Sequence, residues 1–172
     1  MTPIWQRNFR TFVGPGLHFP SETMRVGDDE AALVLERLKG GRWSAPVVSG
    51  HGRHAGYSIR HADSGWNTAL FADDTPVGFY ADSYLWIAPP HRGKGLSTPL
   101  IVAAAEQRGG CVMPPGVAFQ GYTRRGLAAH RSAHVQAVLT ALAEGLSVPQ
   151  AVLDELAQAG ETMRTVQPST CS

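Results

Sequence analysis

The sequence predicts a single domain of the α+β type (α/β in the broad sense), a mostly antiparallel sheet flanked by helices and followed by a helical C-terminal third. Three observations predict it. Between Ala55 and Ala88, strand-like runs are separated by short turn signals rich in Asp and Gly, as in an antiparallel meander. Around them the apolar spacing changes to that of helices, over 28–39, 96–108 and 126–158. The length, 172 residues with 43% hydrophobic content, supports one core that buries about two-thirds of the unfolded surface. The domain is expected over 1–160, with a flexible tail over 161–172.

Residues 1–20 scatter Pro, Gly and aromatic residues without a period and yield no element. Asp28–Lys39 is an expected helix: Asp28, Asp29 and Glu30 complement the positive end of its dipole, and Gly40 follows its last turn as a C-cap. Pro46–Ser49 is an expected short strand. Gly56–His61, Thr68–Ala72 and Pro76–Ala88 are expected strands, divided by Asp63-Ser64-Gly65 and Asp73-Asp74-Thr75. Pro89-Pro90 stops the last of them, because proline cannot continue a central ladder. Leu96–Arg108 is an expected helix, with Pro99 tolerated in its first turn and Gly109-Gly110 ending it. Val117–Gly121 is an expected strand, and Gly126–Glu144 and Gln150–Gln158 are expected helices.

Fifteen basic against fourteen acidic side chains give a net charge of +1, which supplies no sequence-wide attraction for nucleic acid or an anionic membrane. No apolar run approaches the roughly 20 residues that span a bilayer, and Met1–Arg10 lacks the pattern of an export signal. A cytoplasmic location is expected. Cys111 and Cys171 cannot build a disulfide framework or a cysteine zinc site. His51, His54 and His61, and His130 with His134 on one helix face, hint at metal, yet neither group has a Cys or carboxylate in ligand spacing. No metal is expected.

The chemistry-bearing segment is His91-Arg92-Gly93-Lys94-Gly95-Leu96-Ser97, between the best strand and a helix. A helix N-terminus presents unpaired amides and partial positive charge, so a glycine-rich loop entering it is suited to phosphate. Gly93 and Gly95 let the backbone curl close to a ligand, and Arg92 and Lys94 add mobile positive charge. The spacing matches neither the nucleotide-triphosphate loop nor the dinucleotide fingerprint.

The segment from Leu85 to Ile101 resembles the pyrophosphate-binding motif of the GNAT superfamily of acyl-CoA-dependent N-acetyltransferases, [QR]-x-x-G-x-[GA], with Arg92, Gly95 and Ser97 on its fixed positions and Ser97 departing from Gly or Ala. The resemblance is good over 67–108, faint over 109–146 and absent over 1–50. It implies a GNAT-like central mixed sheet, mostly antiparallel, with acetyl-CoA as co-substrate and acetyl transfer to an amine by direct attack on the thioester. It further implies that Arg92, Gly93, Lys94, Gly95, Leu96 and Ser97 hold the diphosphate, and that pantetheine lies along Leu85, Ile87 and Ala88. Backbone N–H groups near Ile87 and Ala88 would then polarise the carbonyl, and the family often forms homodimers. The helix Ser132–Glu144 lacks the family's Asn and Tyr, and its final hairpin is not visible.

Acetyl transfer also needs a base for the amine and an acid for the thiolate. Asp82, the carboxylate upstream on the same strand, is the candidate base; period-two alternation puts it with Tyr84 and Trp86, so it needs a bulge or an amine approaching from that face. Tyr122 is the candidate acid, with Tyr80 and Tyr84 behind it, and Arg124 and Arg125 are candidates for the ribose phosphate or an acidic substrate. The acceptor is a small-molecule or peptide amine. Two other classes compete: a non-catalytic acyl-CoA-binding protein of the same fold, and a helix-turn-helix-type nucleic-acid module over Ala133–Gln158, against which stand the near-neutral charge and the acidic Asp154 and Glu155.

Overall fold

The computed structural model describes residues 1–14, 26–113 and 121–165, the last five by backbone alone. Its elements in chain order are α1 (Phe9–Val13), α2 (Asp28–Lys39), β1 (Val48–Ser49), β2 (Tyr57–His61), β3 (Thr68–Ala72), β4 (Thr75–Ala81), β5 (Tyr84–Ile87), α3 (Ser97–Gln107), α4 (Arg124–Ala143) and α5 (Gln150–Thr165). The five strands form one sheet in the order β1-β2-β3-β4-β5, every neighbouring pair antiparallel. The fold is therefore α+β with a helical C-terminal part. The expected strand at 117–121 lies almost wholly outside the described residues, and Gly121 itself is not in a strand.

The largest departure from the sequence expectation concerns Pro76–Ala88. It is not one strand but the hairpin β4–β5, with Ala81 opposite Tyr84 and Asp82-Ser83 as a two-residue turn. Asp82 takes φ 49, a left-handed conformation that Asp tolerates because its short polar side chain can bond locally. Asp73 does the same at φ 53 in the β3–β4 turn. The aromatic and branched run around Asp82-Ser83 concealed that turn, although its residue types were the right signal.

Helices cover both faces. α2 packs on β4, where Ala31 and Leu38 close over Phe79 and Trp86. α3 lies across the opposite face against β2 to β5, and α4 packs on α3. Leu96, Leu100 and Ile101 enter this larger core beside Leu70, Tyr80 and Ile4. Gly40, the expected C-cap of α2, keeps a right-handed φ of −84, so it ends the helix without the left-handed turn.

Residues 1–14, unread in the sequence, complete that core. Asn8 caps α1 by accepting from the Thr11 amide at 2.9 Å, and Phe9, Phe12 and Val13 are buried against α4. Thr123 caps α4 in the same way, its hydroxyl accepting from the Gly126 amide at 3.0 Å. α5 continues to Thr165, beyond the expected domain limit at 160, and the rest of the expected tail lies outside the described residues. No described helix is long and apolar enough to cross a membrane.

Candidate functional site

After β5 the chain makes a 3-10 turn at Pro89–His91, passes through Arg92 in an extended conformation, and curls twice, at Gly93 (φ 75) and Gly95 (φ 74), before α3 begins. Both glycines hold backbone conformations that L side chains rarely adopt, which explains their presence. Leu96 is the N-cap; its side chain is buried and offers no capping bond. Among the described residues no backbone or side-chain acceptor takes the amides of Gly93, Lys94, Gly95, Leu96, Ser97 or Thr98. The loop thus brings together unpaired donors at the positive end of an 11-residue helix.

The two loop cations are both hydrogen-bonded within the protein. Arg92 folds back on β5: Nε donates to the Ile87 carbonyl at 2.7 Å, Nη2 donates to Asp28 Oδ1 at 2.8 Å, and the guanidinium lies 5.6 Å from the Trp86 ring centre. Lys94 Nζ donates to the Tyr57 hydroxyl at 2.9 Å, and that hydroxyl and His91 Nδ1 share a hydrogen bond of 2.8 Å. Their charge stays near the loop, but each is anchored to a neighbouring element.

Beside the loop opens a cavity of about 350 Å³, walled by β5, by the start of α2 and by the start of α4. Of the expected site residues, Leu85, Ile87, Arg92, Ser97 and Tyr122 line it. Ala88, Gly93, Lys94, Gly95 and Leu96 lie outside its wall, and so does Asp82, which is exposed in the hairpin turn with its carbonyl accepting from Arg108. The carboxylate on the wall is Asp28, which accepts from Trp86 Nε1 at 2.9 Å as well as from Arg92. Asp28 carries no motif, and only the distance between α2 and β5 in the chain hides it from sequence reading.

β5 is one of the two edge strands among the described residues. The Ala88 amide donates to Val77 of β4 at 2.8 Å, so it cannot serve a ligand as expected. Strand alternation then turns the amides of Leu85 and Ile87 toward the open side, where the Ile87 carbonyl meets Arg92. Ile87 keeps its expected availability and Ala88 loses it.

His130 and Tyr122 on the cavity wall belong to a buried polar group. His130 Nδ1 donates to the Gly126 carbonyl at 2.6 Å, leaving Nε2 to accept from the Tyr80 hydroxyl at 2.8 Å. Burial lowers the His130 pKa to about 4, so the ring is neutral, as those bonds require. Tyr122 packs on the same imidazole with ring centres 4.4 Å apart and donates to the Val13 carbonyl at 3.2 Å. Burial pushes both phenols well above the usual tyrosine range. Behind them the buried Arg108 lies 4.7 Å from the Tyr80 ring centre and donates to the carbonyls of Asp82, Val112 and Trp66. Arg125 stands on the cavity wall. Two further histidines bond within the protein: His61 meets Thr68, and His134 donates to the Arg7 carbonyl at 2.7 Å.

Comparisons with models of protein families, with curated proteins and with solved structures found no match to this chain.

Proposed function

We propose that this chain is an acetyl-CoA-dependent N-acetyltransferase, with the diphosphate over the Gly93–Ser97 amides and the thioester along the open edge of β5. The observation that carries the proposal is the row of six amides from Gly93 to Thr98 without acceptors among the described residues, beside a cavity walled by that edge. A diphosphate satisfies such donors in a way that no described side chain does.

The chemistry then assigns roles by position. The Ile87 amide bonds the thioester oxygen as it gains charge, an interaction that contributes about 3 kcal/mol when such a donor is preorganised. The amine nitrogen attacks the carbonyl carbon, the carbon–sulfur bond breaks, and the thiolate takes the Tyr122 proton. Burial keeps this phenol protonated at working pH but also makes it a weak acid, so the Tyr122 role rests on its place on the cavity wall. Asp28, not Asp82, is the carboxylate that accepts the proton of the amine, directly or through water, because it shares the cavity.

Two measurements on the full chain test this. Calorimetric titration with acetyl-CoA should show saturable binding, and mass spectrometry should detect free coenzyme A when a panel of amines is added. Binding without release would leave an acyl-CoA-binding protein; absence of binding would overturn the proposal.

A further inference from the structure

The arch Gly50-His51-Gly52-Arg53-His54-Ala55-Gly56 joins β1 to β2 beside the Gly93–Ser97 loop. Glycine sets its shape. A Cβ on Gly50 would lie 1.9 Å from the His54 carbonyl oxygen, and Gly52 and Gly56 hold φ of +56 and +82. The result is a 3-10 turn over Gly52–His54 pinned to the loop, with His54 Nε2 donating to the Lys94 carbonyl at 2.7 Å. Arg53 is thereby brought against Gly95: its Nη2 stands 3.2 Å from where a Cβ on Gly95 would be.

Arg53 differs from the other cations at the loop. Arg92 is engaged by Asp28 and Ile87, and Lys94 by Tyr57. Arg53 is exposed, and no described residue accepts from its guanidinium. The arch therefore delivers a guanidinium without an acceptor among the described residues to a backbone whose amides likewise lack one there. Arg53 stands outside the cavity, whose wall includes Arg92 and Ser97.

We propose that Arg53 recognises a phosphate monoester lying beyond the diphosphate on the same ligand, with His54 as the residue that positions it. The inference rests on the acetyl-CoA reading and deepens it. In coenzyme A the diphosphate separates the pantetheine arm from a ribose that carries a 3′-phosphate. With pantetheine along β5 and the diphosphate over the loop, the ribose leaves past Gly95, where Arg53 stands ready to bind phosphate through two parallel N–H donors. Arg125, the arginine expected for this phosphate, lies on the cavity wall, at the pantetheine end.

The test is calorimetry with acetyl-CoA and with its 3′-dephospho form. The wild type should bind acetyl-CoA about tenfold more tightly, the size of one good charged hydrogen-bond pair. Arg53→Ala should lose that preference while keeping wild-type affinity for the dephospho form, and Arg125→Ala should keep the preference. Equal affinity of the wild type for the two ligands, or loss of preference in Arg125→Ala and not in Arg53→Ala, would overturn the assignment and leave the acetyl-CoA reading intact. Failure of the wild type to bind either ligand would overturn both.

Discussion

The two ends of the site are made by different means. At the loop end, outside the cavity wall, the groups offered to a ligand are backbone amides, held in place by Gly93 and Gly95 over a few consecutive residues. At the cavity end they are side chains, Tyr122 before α4 and His130 within α4, set by burial against each other and by the bond from His130 to Tyr80 on β4, far away in the chain. A site for an anion can be written locally, since amides are present in every residue and only the path of the chain must be set. A site that moves protons needs side chains whose environment is fixed by the whole core. Damage to the first end should cost binding, and damage to the second should cost turnover or stability.

The largest effect is expected at Arg108, which supports the cavity end. Replacing it with Ala leaves the buried Val112 carbonyl without its donor, removes the bonds to the carbonyls of Asp82 and Trp66, and takes the cation from the face of Tyr80. A loss of about 4 kcal/mol is expected, read from urea unfolding of Arg108→Ala. Arg108→Lys should recover little, because an ammonium cannot reproduce the forked donor set.

Next comes Tyr122→Phe. Under the proposed mechanism it should lower kcat about a hundredfold while acetyl-CoA affinity stays within a factor of two, the signature of a lost acid. Equal losses in affinity and turnover would show that the ring shapes the cavity and does no acid work.

The third effect follows from His130. Its folded pKa of about 4 lies below the unfolded value of 6.5, so between those values the unfolded chain binds the extra proton. Stability is therefore fully present above pH 6.5 and falls as pH drops toward 4. From pH 7 to pH 5 the expected loss is about 2 kcal/mol, to which the lowered pKa of His134 adds in the same direction. His130→Gln should flatten this slope in unfolding measurements at the two pH values. The smallest effect is expected at Asp82: Asp82→Asn keeps a residue that tolerates φ 49 and lies off the cavity wall, so turnover should stay within a factor of two.

How much of this was legible follows the same division. α2, β3 and the loop into α3 were readable because capping residues, turn residues and period act over short stretches. The Asp82-Ser83 turn was missed because the apolar residues flanking it outweighed two turn formers, and the error carried Asp82 into the site. α1 was missed although Asn8 with Phe9, Phe12 and Val13 gives a cap and an i, i+3, i+4 apolar face, since five residues are too few for a period to stand out. Asp28 and His130 reach the cavity only through packing of α2 and α4 on the sheet, which no local pattern encodes. Leu85, Ile87, Arg92, Ser97 and Tyr122 do converge on one cavity, although the Arg92 guanidinium is spent on Asp28 and Ile87.

The central claim is that the amides between Gly93 and Thr98 receive the diphosphate of acetyl-CoA. Calorimetry on Gly93→Asp beside Gly93→Asn tests it most directly: at φ +75, with open space where a Cβ would go, the two variants carry similar backbone strain and differ in one negative charge. The account predicts that the Asp variant binds acetyl-CoA at least about tenfold more weakly than the Asn variant. Equal affinities in the two variants, with the wild type binding as tightly as either, would contradict it.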